Sequence, residues 1–120
     1  MLRLGLALFV VLLLAPSAWA LDLGKGTFSW TAPIVDSTHG APTSYTLKCG
    51  GAAGGPYALT RAVTGTPLPT SLAVNQVVTT VGTYFCVVTA SNVGGEGPPS
   101  NEVSFQGDWS PSSPANLQVQ

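Results

Sequence analysis

Residues 82–105, GTYFCVVTASNVGGEGPPSNEVSF, constrain the fold more than any other part of the chain. Tyr84, Cys86, Val88 and Ala90 alternate with Phe85, Val87 and Thr89, the two-residue period of a half-buried β-strand. Asn92, Gly94, Gly95, Gly97, Pro98 and Pro99 break the period, because these residues favour turns and resist ladder pairing. Glu102, Val103, Ser104 and Phe105 resume it. Shorter alternating runs lie upstream. Residues 27–31 put Phe28 and Trp30 on one face, and residues 44–49 do the same with Tyr45, Leu47 and Cys49. Residues 57–63 align Tyr57, Leu59 and Arg61, and residues 70–78 turn Leu72 and Val74 inward. Gly- and Pro-containing loops separate these runs, and residues 21–120 sustain no helical period. Short strands at this spacing predict an all-β, antiparallel β-sandwich of about seven strands.

The first twenty residues read differently. Met1-Leu2-Arg3 is a short basic start. Residues 4–15 form an apolar run of about a dozen, short of the ~20 needed to span a bilayer. Pro16 and the small-x-small triplet Ala18-Trp19-Ala20 follow. Together they predict a secretory signal peptide over residues 1–20, cut after Ala20, and no membrane attachment after the cut. An uncleaved N-terminal anchor is the rival reading. The expected compartment is extracellular or periplasmic.

From residue 21 on, Lys25, Lys48 and Arg61 face Asp22, Asp36, Glu96, Glu102 and Asp108. Three scattered cations cannot form the basic stripe that nucleic acid or anionic lipid requires, so no nucleic-acid partner is expected. Cys49 and Cys86 would both meet an oxidising compartment, which makes a disulfide the default expectation and two buried thiols the alternative. Closing a loop of about 36 residues would contribute roughly 3–4 kcal/mol in the chain-entropy model.

The chain resembles the fibronectin type III family over residues 26–105. The resemblance rests on Trp30 within SWTAP, on YTL in residues 45–47, and on residues 82–105. It implies an immunoglobulin-like sandwich over residues 21–106, with Trp30, Tyr45, Leu47, Tyr84 and Val88 in the core. Tyr84 would be a corner tyrosine whose hydroxyl bonds back to the backbone of the preceding turn. Val78 stands where the family has a leucine. The resemblance also implies that the strands holding Cys49 and Cys86 are antiparallel neighbours, so that the bridge would lie within one sheet. The N-terminus departs from the family pattern: residues 21–26 are too short and glycine-rich to supply an opening strand. The missing motif occurs instead in the tail, residues 107–120, as PSSPANLQV. Asn116, Leu117 and Val119 therefore form a candidate pairing strand for the exposed edge of a neighbouring copy or of another protein, the alternatives being a barely reachable return onto its own domain, a disordered tail or the stub of a tandem array.

Chemistry-bearing residues are sparse. His39 lies three residues after Asp36 in a Gly/Pro loop, without a nucleophile elbow, and reads as a solvent-facing side chain. One histidine and two strand cysteines do not make a zinc site. Dispersed acids make no calcium loop, and GGAAGGP lacks the Lys-Ser/Thr of a phosphate-binding loop. We therefore expect no enzyme activity, cofactor or metal. The expected role is a secreted binding, adhesion or assembly module, with an accessory domain of an exported carbohydrate-active enzyme as the alternative. A protein or glycan partner would meet the loops at 34–43 and 92–99 or the outward face carrying Phe85 and Val87. Trp109 is a further candidate anchor, and the tail makes self-association a specific expectation.

Overall fold

A computed structural model of the chain describes residues 19–120. Most of the expected signal peptide therefore lies outside the described residues, and the expected cut after Ala20 falls inside the first strand. The strands are β1 (Trp19–Asp22), β2 (Thr27–Ser29), β3 (Ser44–Gly50), β4 (Leu59–Val63), β5 (Ser71–Ala73), β6 (Gly82–Asn92), β7 (Gly95–Glu96) and β8 (Val103–Asp108). The described fold is all-β apart from a single 3₁₀ turn, Val74–Gln76. That turn replaces the second half of the strand expected over 70–78. Val74 and Val78 still point into the core, because the amides of Val77 and Val78 both donate to the Val74 carbonyl.

The long sheet runs β1-β8-β6-β3-β4, with β7 also paired to β6, and the short sheet is the antiparallel pair β2-β5. Register is set by the alternation of the sequence. Leu47 lies opposite Val88 and Cys49 opposite Cys86 between β3 and β6, while Tyr84 lies opposite Phe105 between β6 and β8. One face of the long sheet thus presents Tyr45, Leu47, Cys49, Cys86 and Phe105, all buried, toward Phe28 and Leu72 of the short sheet and toward Val74 and Val78 just beyond it. Burying a side chain of Leu or Phe size contributes about 1.5–3 kcal/mol, so this shared layer is the main attraction between the two sheets.

The N-terminal segment departs from expectation. Residues 21–26 were expected to supply no strand, yet Leu21 and Asp22 complete β1, which pairs parallel with β8 rather than with the short sheet. Leu23 follows directly, donates its amide to the Asp108 carbonyl at 2.7 Å, and is fully buried. Gly24, Lys25 and Gly26 then turn the chain, with the amides of Lys25 and Gly26 both donating to the Asp22 carbonyl. Gly107 is required opposite this segment, since a Cβ there would lie 2.6 Å from the Leu23 side chain. Gly107 and Asp108, the first two residues of the expected tail, are the end of β8.

One expected face is less covered than its alternation suggests, and one expected orientation is corrected. Arg61 and Leu59 share the inward parity of β4, but both are exposed, and only Val63 of that face is buried. The two-stranded sheet is too narrow to cover the outer half of β4. Val87 was expected on an exposed outer face, yet it is buried, as is Thr89. Lys48, cross-strand to Val87, stretches over to Glu96 at 2.8 Å, and Glu96 accepts from the Thr89 hydroxyl at 2.7 Å, which shields this part of the outer face.

Candidate functional site

Cys49 and Cys86 form a disulfide with an S–S distance of 2.09 Å, and both residues are buried. They are directly opposite one another on β3 and β6, so the bridge lies within the long sheet. Tyr84 donates its hydroxyl to the Thr80 carbonyl at 2.8 Å and meets the Thr80 hydroxyl at 2.7 Å, tying the start of β6 to the preceding turn. Among the expected core residues, Tyr45 and Leu47 are buried, whereas Trp30, Tyr84 and Val88 are half-buried.

The half-buried state of Trp30 and Val88 has a common origin. Both line a cleft of about 520 Å³ between the two sheets, along the side of β2 that faces away from β5. Phe28 and Trp30 form one wall, Val88 and Val103 the other, and Pro98 and Pro99 close one side. None of the residues lining this cleft is charged. Trp30 packs edge-on against Tyr45, with ring centroids 5.2 Å apart. Its indole Nε1–H is shielded from solvent and has no hydrogen-bond partner. An unpaired buried donor costs about 1–3 kcal/mol.

The backbone at this edge is also unpaired. The Trp30 amide donates to the Thr70 carbonyl at 3.0 Å, and the Gly26 carbonyl accepts from the Val74 amide at 3.0 Å. Bonding direction alternates along an antiparallel strand. Gly26, Phe28 and Trp30 therefore point their backbone groups toward β5, and Thr27 and Ser29 point theirs outward. Among the described residues β2 pairs only with β5, so those outward groups have no strand partner there. Such an edge is a template for strand addition. Its opposite number in the long sheet is covered, because β1 occupies the free side of β8.

The other sequence candidates are arranged differently. His39 Nδ1 lies 2.8 Å from Asp36 Oδ1, and the Thr38 amide donates to the same oxygen at 2.9 Å. The amide of Thr38 and the ring of His39 hold the Asp36 carboxyl below its ordinary range. All three residues are exposed in one loop, where this arrangement braces the turn. The loops at 34–43 and 92–99 do meet, through the Asn92 side-chain amide donating to the Ala41 carbonyl at 3.2 Å. Ile34 and Val93 are exposed there. Among the described residues, no three His, Cys, Asp or Glu side chains come together as a metal-ligand set, and no helix is long and apolar enough to cross a membrane. Asn116, Leu117 and Val119 form no strand in the single chain. Asn116 has φ 58°, and Leu117 and Val119 are each 99 % exposed.

Compared with protein-family models, curated proteins and solved structures, the chain matches none.

The cleft itself was not legible in the sequence. Its signal was present as a mismatch: the strand around Trp30 alternates like a core strand, while residues 21–26 cannot cover its edge.

Proposed function

We propose that this protein is a non-catalytic, exported binding or assembly module built on a fibronectin type III-type sandwich, and that it engages extended peptide segments along the free edge of β2. The observation that carries this reading is the combination at one place of unpaired strand backbone and an uncharged, largely apolar cleft directly behind it. Backbone pairing would supply affinity, and pockets between Trp30, Val88 and Val103 would select alternate side chains. The Tyr84–Thr80 hydrogen bond and the Trp30–Tyr45 packing support the fibronectin type III assignment. The disulfide agrees with an oxidising compartment.

A library of uncharged extended decapeptides, read by backbone amide exchange, tests the reading. Binding should slow exchange at Thr27 and Ser29 and shift Trp30 fluorescence. Unchanged exchange at both amides with every peptide would refute it, and saturable binding of oligosaccharides at the same cleft would favour the carbohydrate-enzyme accessory role.

A further inference from the structure

We infer that the occupant of this cleft is residues 111–120 of a second copy of the chain, which add a strand to the free edge of β2 and set Leu117 and Val119 between the sheets. This rests on the binding-module reading above and names its ligand.

Four observations support the assignment. First, Leu117 and Val119 are two residues apart, share one face of an extended segment, and are 99 % exposed in the single chain. Gln118 and Gln120 occupy the other face, so the segment carries the alternation of a half-buried strand without a sheet to join. Second, neither side carries charge. Residues 109–120 contain no Asp, Glu, Lys or Arg, and neither does the segment from Thr27 to Pro33. Bringing them together removes no ion from water, which would otherwise be the dominant cost. Third, the tail leaves the body in a defined direction. Ser110 donates its hydroxyl to Asp22 Oδ2 at 2.6 Å, and the Trp109 ring lies against Gly24. Pro111 and Pro114 then stiffen the segment in an extended form. It is thus tethered beside the turn at residues 22–26, with its apolar pair exposed. Fourth, a reciprocal exchange would add two ten-residue strands to the contact, toward the roughly 1,600 Å² of a standard interface. Docking requires Asn116 to return from its left-handed conformation, a modest cost for asparagine.

Sedimentation velocity on the purified protein over a wide concentration range provides the test, with two variants. Ser29→Pro removes an outward amide from the free edge and places a ring there, while leaving the bonds to β5 intact. A double Leu117→Asp, Val119→Asp variant alters only fully exposed side chains, so its fold is not at risk. The full chain should dimerise with rising concentration, and each variant should weaken dimerisation by roughly a hundredfold or more. Mixing the two variants should restore a one-to-one complex, because one supplies an intact tail and the other an intact edge. A full chain that stays monomeric at every concentration, or variants that associate as the parent does, would overturn the proposal. Protection of Thr27 and Ser29 in a concentration-independent monomer would also overturn it, by showing that the tail folds back on its own domain. If self-association fails but unrelated extended peptides still protect these amides, the binding-module reading stands and only this occupant is wrong.

Discussion

The two sides of the molecule treat a strand edge in opposite ways. On the long sheet, the free side of β8 is covered by β1, sealed by fully buried Leu23, and closed by a backbone bond from the Leu23 amide to the Asp108 carbonyl. On the short sheet, β2 has no partner for its outer backbone among the described residues, and its inward side chains are half-covered. The contrast comes from where one segment pairs. Among the described residues, Trp19–Asp22 form a strand that is spent on β8, and residues 23–26 turn the chain into β2. Buried area then separates the two: Leu23 is out of contact with water, whereas Trp30 and Phe28 still border an open cleft. Stability should therefore concentrate on the β1–β8 side, and adaptability on the β2 side.

The most damaging single change should be on the closed side. Leu23→Ala should cost about 3–5 kcal/mol, the upper part of the range for a fully buried leucine, measured by urea denaturation. A cost under 1 kcal/mol would mean that β1 does not seal this edge. Next, the double variant Cys49→Ala, Cys86→Ala should lose roughly 3–4 kcal/mol, seen as a lower denaturant midpoint with the fold retained. Gly107→Ala presses a methyl group against Leu23 and should cost about 1–3 kcal/mol. Combined with Leu23→Ala, which empties that space, the second change should cost much less, a non-additivity that would place residues 23 and 107 in direct contact.

Smaller effects probe the outer face and the open edge. The ammonium of Lys48, and then the Thr89 hydroxyl, hold the Glu96 carboxyl below its ordinary value of 4.5. A carboxyl lowered in the folded state adds stability above its unfolded value and loses it as pH falls through the lowered folded value. Acid titration should therefore erode stability below about pH 4.5, and Glu96→Gln should flatten that part of the profile. Least of all should be the effect of Ser29→Pro on monomer stability, within about 0.5 kcal/mol. A large loss there would mean that the outer edge of β2 is already paired.

How far the sequence foretold this depends on whether each contact was local. The hairpin of β6 and β8 was legible because alternation and the Gly/Pro break lie in one continuous stretch. The bridge between Cys49 and Cys86 was legible in chemistry, and Tyr84 was legible through its place at the start of that stretch. What escaped were relations between distant segments. Nothing in WALD announces parallel pairing with residues 105–108, and Leu23 sits among glycines that read as a loop. Alternation set Leu59 and Arg61 on one face, as found, but says nothing of how wide the opposing sheet is, so the exposure of that face escaped. Val87 escaped because its cover comes from a long-range ion pair between Lys48 and Glu96. The cleft is the sum of these: it exists because the N-terminal strand went to β8, a choice made by packing and not by local pattern.

Residue-resolved hydrogen exchange on the protein at low concentration tests the central contrast most directly. Ser29 should exchange fast beside strong protection at its neighbour Trp30, whose amide is bonded to Thr70, and at Leu23, bonded to Asp108. Equal protection of Ser29 and Trp30 in the dilute monomer would contradict it, because the edge taken here as free would then be filled.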